Sequence, residues 1–329
     1  MLSLVIPIYR SQDNIPGLLL AVSALARKTP LEAVFVDDGS PDRSAEILRR
    51  ELATQDFPSR LVELSRNFGS FSAVTAGLAY GSGDYFALLA ADLQEPPELI
   101  LDFVERLSSG KVDVVVGQRV TRQDPWLSRA LSNLFWKFFR RCAMKDMPLG
   151  GVDTFGCTRQ VRDRLIALPE VDSSLVSLLF WMGFRRQTVP FVRRQRTAGK
   201  SAWSFKKRVD YAIYSFFNFT DLPVRLLIYS GAFGAALALL VGFVVLSARL
   251  AGWIRVPGYT PLAILISFYG GLMTFGLGVV GQYIWLTLQN ARRRPNYIVR
   301  AVCSFGSHPQ AGRATGAEVM PSASAEPRP

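Results

Sequence analysis

Histidine is nearly absent. The one imidazole in 329 residues is His308, set in a run of Gly, Ser, Ala and Pro near the C-terminal end. Such a chain has no means to build Ser-His-Asp or Cys-His nucleophilic chemistry or a His-ligated metal site, so carboxylates, arginines or a bound cation must carry any reaction. Cysteine is scarce too. Cys142, Cys157 and Cys303 are odd in number, far apart and without CxxC or CxxH spacing, which argues against a disulfide framework and a zinc site and leaves small buried thiols. Negative charge is in deficit, with 26 Asp+Glu against 38 Lys+Arg and a formal net charge of +12. That surplus suits a partner bearing phosphates, either nucleic acid or an anionic membrane surface. A leader is also missing: Met1 runs directly into the strand-like Leu2–Ile8 with neither a basic segment nor a small-residue cleavage site, so no signal peptide is expected.

What is present is unevenly spread. The hydrophobic fraction of 49% is ordinary for a globular chain, yet the apolar residues concentrate after position 223. Before that, short Val/Ile/Leu/Phe runs at Leu2–Ile8, Glu32–Val36, Arg60–Leu64, Asp84–Leu89 and Val112–Gly117 alternate with helix-length segments. The runs are apolar on both faces, as parallel strands covered by helices on each side require, and they predict a βαβ series. Ligands of such sheets sit at the carboxyl ends of the strands. There the chain places Asp37-Asp38-Gly39-Ser40 after the second run and Asp92-Leu93-Gln94 after the fourth.

Residues 118 to 200 are less regular and rich in arginine. From Phe205 to Phe219, apolar residues recur at helical spacing beside Lys206, Lys207 and Arg208, which predicts a helix lying in a membrane interface. Leu226–Leu246 is uncharged over about the 20 residues that cross a bilayer core, and Val256–Ala291 is a longer uncharged stretch with Gly270, Gly271, Gly276, Gly278 and Gly281. Two transmembrane helices are expected. Lys206, Lys207, Arg208 and Arg225 precede them and Arg292, Arg293, Arg294 and Arg300 follow, against only Arg249 and Arg255 between; by the positive-inside rule both flanks face the cytoplasm.

Asp37-Asp38 at a strand end can place a carboxylate on a base or ribose while Gly39 lets the backbone turn tightly. Asp92 and the amide oxygen of Gln94 are two oxygen donors one residue apart, a spacing that can share a hard cation such as Mg²⁺ while substrate phosphates complete its shell. Asp92 with the following Pro-Pro-Glu can equally start a helix, and both readings can hold.

Taken in order, Ile6-Pro7-Ile8-Tyr9, Val36-Asp37-Asp38-Gly39-Ser40, Ser65-Arg66-Asn67-Phe68-Gly69 and Ala91-Asp92-Leu93-Gln94-Glu95-Pro96-Pro97 resemble the polyprenyl-phosphate glycosyltransferases of glycosyltransferase family 2, the dolichol-phosphate mannose synthase and bactoprenol glucosyltransferase type. The resemblance continues through Gly117-Gln118-Arg119, Gly199-Lys200-Ser201, Gly281-Gln282-Tyr283 and Arg294-Pro295-Asn296-Tyr297. The composition beyond residue 204 predicts an interfacial helix over 205–223, two transmembrane helices within 224–291, a basic cytoplasmic segment over 292–303 and a disordered tail over 304–329, and the resemblance implies an α/β GT-A (Rossmann-like) catalytic domain over residues 1–204. It also implies that Pro7, Tyr9, Asp37 and Asp38 hold the nucleotide and that Asp92 and Gln94 hold Mg²⁺ or Mn²⁺. Arg119, Arg129 and Ser132 fall near the lipid phosphate, Arg196, Lys200 and Ser201 on a loop that closes over the donor, and Asp153 on an acidic position near the acceptor, while Arg122 is suited in type to stabilising and aligning the phosphates. One departure stands out: relatives often carry Asp-x-Asp where this chain has Ala90 at the first position.

The implied reaction moves a sugar from a nucleotide diphosphate, a UDP-sugar first, to undecaprenyl or another polyprenyl phosphate with inversion, at the cytoplasmic face of a bacterial inner membrane. The protein would be multi-pass with both termini cytoplasmic. A phosphate monoester has a second pKa near about 6 and is largely ionised at neutral pH, so it needs no strong base, which accords with the missing histidine. Homo-oligomers, tetramers for instance, are compatible with the membrane helices. A processive polysaccharide synthase and a non-catalytic lipid-phosphate scaffold of the same fold remain as alternatives. Nucleic acid is not expected as a partner, because the spans account for the basic flanks better.

Overall fold

The computed structural model describes residues 1–119, 152, 154–168, 175–194, 259–292 and 294–306, with isolated positions at 137 and 141 and between 224 and 251. In chain order the elements are β1 (Leu2–Ile8), α1 (Ile15–Ala26), β2 (Leu31–Asp37), α2 (Ser44–Leu52), β3 (Ser59–Leu64), α3 (Ser70–Tyr80), β4 (Tyr85–Leu88) and α4 (Leu99–Ser108). They are followed by β5 (Val114–Arg119), β6 (Phe155–Thr158), α5 (Arg159–Ile166), α6 (Leu175–Trp181), β7 (Arg186–Phe191), α7 (Tyr259–Ala291) and β8 (Val299–Phe305).

Among the described residues eight strands form one sheet in the order β7-β5-β6-β4-β1-β2-β3-β8. The expected parallel series is present as β4-β1-β2-β3, with Leu2 opposite both Leu31 and Tyr85. Side chains alternate across it. Leu4 and Ile6 face a core shared with Leu18 and Val22 of α1 and Phe103 of α4, whereas Val5 packs with Val74 and Leu78 of α3, and Val34, Val36 and Val62 pack with Ala73 and Ala76 of the same helix. Helices therefore cover both faces, which is why the strands are apolar throughout. Helix α3 lies so close to the sheet that a Cβ on Gly77 would collide with Val5.

The structure departs from the sequence reading at the two flanks of this series. β5 is not the neighbour of β4: the antiparallel β6 stands between them, and β5 pairs in parallel with β7 beyond. β6 is four residues, Phe-Gly-Cys-Thr, too short and too poor in β-branched residues to announce itself. At the other edge β8 pairs antiparallel with β3 from Ser59↔Phe305 to Leu64↔Val299. Segments expected as a basic extension and the start of a tail thus contribute a strand of the catalytic sheet.

Helix α7 runs 33 residues, about 50 Å at 1.5 Å per residue. Within it Phe268–Leu288 is long and apolar enough to cross a membrane by length and composition, the one such helix among the described residues. The described positions between 224 and 247 are helical, and one of them, Gly234, accepts a hydrogen bond at its carbonyl from the Tyr269 hydroxyl at 3.0 Å. The remainder of the expected first span and the whole interfacial helix at 205–223 lie outside the described residues.

Candidate active site

The sheet's topology fixes where a ligand can sit. β1 lies between β2 and β4: the chain runs outward from β1 through β2 and β3 and then crosses back to β4, so the strand order reverses beside β1, where such sheets carry a ligand crevice at their carboxyl ends. Half-buried Pro7 and Tyr9, the Asp37-Asp38 turn and the Asp92 loop all gather there.

Both aspartates of the turn are buried, Asp37 at 1% and Asp38 at 3% exposure. Asp38 accepts the backbone N–H groups of Phe68 at 2.7 Å and Gly69 at 2.9 Å, and so fastens the 65–69 loop to the end of β2. Gly39 permits this closeness twice over. Its φ of +62° is the left-handed region, and a Cβ there would lie 2.5 Å from the Arg66 carbonyl carbon. Asp37 accepts from the Ser40 N–H at 3.2 Å through Oδ2, while its buried Oδ1 has no hydrogen-bond partner. A buried acceptor without a partner is uncommon in a folded chain.

Burial pushes both carboxyls above the usual aspartate range, against the pull of Ser40 on Asp37 and of the Phe68 and Gly69 amides on Asp38. A carboxyl that titrates higher in the folded state favours folding while protonated. That contribution is complete below its unfolded pKa and is lost as the pH rises through its folded value. At neutral pH the ionised Asp37 is therefore a cost to the fold. Asp37→Asn is expected to melt at or above the native temperature at pH 7, because it removes a buried charge and keeps the side chain's shape. A variant that melts well below the native protein would contradict this account of Asp37.

Two non-glycine residues with positive φ occur among the described residues, Arg10 at 51° and Leu93 at 50°, and they follow β1 and β4 on the two sides of the crevice. Strain of this kind concentrates at functional sites. Arg10 donates its N–H to Ser40 Oγ at 3.2 Å and holds its guanidinium 5.4 Å from the Tyr9 ring. In the second loop Leu93 N–H bonds the Ala90 carbonyl at 3.1 Å, turning the chain so that the Gln94 N–H faces Asp92 Oδ1 at 3.4 Å.

Gln94 does not present an open oxygen. Its Oε1 accepts from Nη2 of Arg193 at 2.6 Å, a residue of the arginine-rich 118–200 stretch that the sequence does not single out. The available signal was position: Arg193 lies two residues beyond β7, which pairs with β5 so that Phe191 sits opposite Arg119. Arg119 is half-buried at that end of the sheet. Arg122, Arg129, Ser132, Asp153, Arg196, Lys200 and Ser201 lie outside the described residues. The structure thus brings Pro7, Tyr9, Asp37, Asp38, Asp92 and Gln94 to one crevice, with Arg119 on the same carboxyl edge of the sheet.

A family model described as glycosyl transferase family 2 matches residues 3–165. The chain is 33% identical over 304 residues to an uncharacterized glycosyltransferase of Synechocystis sp., covering 91% of this chain and 94% of that relative. It is 31% identical over 302 residues to the bactoprenol glucosyl transferase of Shigella phage SfV, covering 91% and 98%. Among solved structures, mannosyltransferase PcManGT from Pyrobaculum calidifontis, in complex with GDP-Man and Mn²⁺, is similar at a TM-score of 0.47 and 19% identity over 88% of this chain and 86% of that one.

Proposed function

The chain belongs to glycosyl transferase family 2 and is a glycosyltransferase of Rossmann-like GT-A fold, and on that premise we propose that it transfers a sugar from a UDP-sugar to a polyprenyl phosphate at the cytoplasmic face of a membrane. The observation that carries this reading is the near end-to-end likeness to a protein named for glucosyl transfer to bactoprenol, a polyprenyl lipid. In support, the buried, unpartnered Asp37 Oδ1 offers an acceptor to the nucleotide, with Tyr9 and the Gly39 turn beside it.

The acceptor phosphate, already ionised, attacks C1 opposite the leaving diphosphate, giving inversion. The protein's tasks are to align two anions that repel and to stabilise charge on the departing group. Arg119 suits the first task, since a planar guanidinium matches phosphate oxygens. For the second, a Mg²⁺ or Mn²⁺ ion when bound supplies Lewis-acid stabilisation of the diphosphate. No cluster of three or more His, Cys, Asp or Glu side chains occurs among the described residues. Half-buried Asp92 fits such an ion as a single carboxylate whose other ligands are donor phosphates and water, the usual arrangement for Mg²⁺. Gln94 fits only once Arg193 leaves its oxygen.

The helical elements support the membrane part of the reading. Along α7, Leu262, Ile266, Phe268, Met273, Leu277 and Ile284 are all more than half exposed, and so are Ile228, Phe233, Leu240 and Phe243 of the preceding helical segment. Apolar surface this extensive is unfavourable in water and at home in lipid. Two antiparallel spans would return the chain to the side from which it left, where β8 rejoins the sheet.

Transfer of label from a panel of UDP- and GDP-sugars to undecaprenyl phosphate, in membranes carrying the full chain, tests the proposal. One sugar is expected to give a labelled lipid that chelator abolishes. No lipid-linked product with any sugar or metal would overturn the reading in favour of a scaffold.

A further inference from the structure

The segment after β7 is laid along the loop after β4. Arg194 donates its N–H to the Gln94 carbonyl at 2.8 Å and pairs its guanidinium with Glu98 at 3.2 Å. Gln94 Nε2 approaches the Arg194 carbonyl at 3.5 Å. Between these contacts Arg193, with 30% of its side chain exposed, reaches the Gln94 amide oxygen and places Nε 3.9 Å from the buried Glu95 carboxylate. A guanidinium therefore occupies the side-chain oxygen of Gln94, the amide acceptor two residues from Asp92 that could join it around a cation. A divalent ion on that oxygen and a guanidinium 2.6 Å from it would repel, so the two cannot share it.

We propose that Arg193 is a positioning residue that reserves the cation site for a cation arriving with a diphosphate. The inference rests on the glycosyltransferase reading above. A lone divalent ion must displace a charge-assisted bond and gains one carboxylate and one amide in return, because Ala90 supplies no second carboxylate. A diphosphate alters that balance: it completes the ion's shell, and its oxygens are a better acceptor for the displaced guanidinium than a neutral amide is. Free metal is thus held out and the metal–donor complex is admitted. Arg193 acts here through Gln94, and no bond is made or broken in the step.

The experiment is Mn²⁺ binding to the full-length protein in detergent, by electron paramagnetic resonance or calorimetry, with Mn²⁺ alone and with UDP. Arg193→Ala is expected to bind Mn²⁺ alone about tenfold more tightly than the native chain, the equivalent of one charge-assisted hydrogen bond removed from a competitor. The gain should shrink when UDP is present. Arg193→Lys, which keeps the charge but not the fork, should fall between the two. In a Gln94→Ala background the effect of Arg193→Ala should disappear, which a purely structural role would not produce. Unchanged Mn²⁺ affinity in Arg193→Ala, an equal gain in the Gln94→Ala background, or no Mn²⁺ binding by either protein would each overturn the proposal. Because binding is read without the lipid acceptor, a native chain that shows this pattern yet yields no lipid-linked sugar refutes the transfer reaction and leaves the competition standing.

Discussion

Asp92→Asn is expected to lower sugar transfer by about two to three orders of magnitude, the loss seen when one electrostatic stabiliser of a developing charge is removed, while the protein folds and melts as before. The reason for so large an effect is that position 90 gives Asp92 no second carboxylate. Where Asp-x-Asp supplies two carboxylates, this chain has Ala90 and Asp92, and Gln94 is held by Arg193. The reason for an intact fold is that asparagine has the same shape, can still accept the weak 3.4 Å contact from the Gln94 N–H through its oxygen, and occupies a half-buried position at a strand end. Transfer assays across a Mn²⁺ titration check both halves. The variant should stay inactive at any metal concentration; activity near that of the native chain would remove Asp92 from the cation site.

The central sheet was legible because its signal is local. Each of β1 to β4 is a run apolar on both faces, bounded by polar turns, and the structure places all four within about one residue of the expected bounds. The flanking strands were not legible, for a different reason in each case. β6 is too short to carry a period. β7 reads Arg-Gln-Thr-Val-Pro-Phe, a half-exposed edge strand whose pattern a surface loop would share. β8 follows a long apolar helix and three arginines, a context that spoke for a membrane flank, while its pairing with β3 is a contact across more than 200 residues that no local pattern encodes.

The site divides along the same line. Asp37 and Asp38 at the end of β2 and Asp92 in the loop after β4 were found because they lie at the carboxyl ends of buried strands, where topology puts ligands. What the sequence reading missed are the relations between loops: that Asp38 spends both oxygens on the Phe68 and Gly69 amides, and that Gln94 is claimed by Arg193 from 99 residues away. Such hydrogen bonds depend on where two distant loops come to rest. Arg300 is a further case: in the sequence it is one positive charge at a membrane flank, whereas its guanidinium bonds a fully buried carboxylate.

That carboxylate supports the largest stability prediction. Glu63 of β3 has no exposed surface, and its two oxygens are divided between Arg49 of α2, whose Nε lies 2.8 Å from Oε1, and Arg300 of β8, 2.5 Å from Oε2. Both arginines are about half exposed and keep water on one side, so each can be removed without burying anything new. Arg300→Ala alone should cost about 1.5–3 kcal/mol, one hydrogen bond to a charged group, because Arg49 remains. The double change Arg49→Ala with Arg300→Ala strands an ionised carboxylate in the sheet and should cost about 3–5 kcal/mol, a fall in melting temperature of roughly 10 °C for a domain of this size. Glu63→Leu separates charge from packing: it leaves two arginines free to turn to water and should melt close to the native temperature, as replacement of a buried ion pair by an apolar residue often does. A Glu63→Leu protein as unstable as the double arginine variant would mean that β8 is held by the shape of Glu63 rather than its charge. The effect reaches the crevice as well, since Asp37 pairs with Glu63 across β2 and β3 and the Glu63 charge already lifts its pKa. In this way the strand that follows the apolar helix helps to hold the buried carboxylate that lies opposite Asp37.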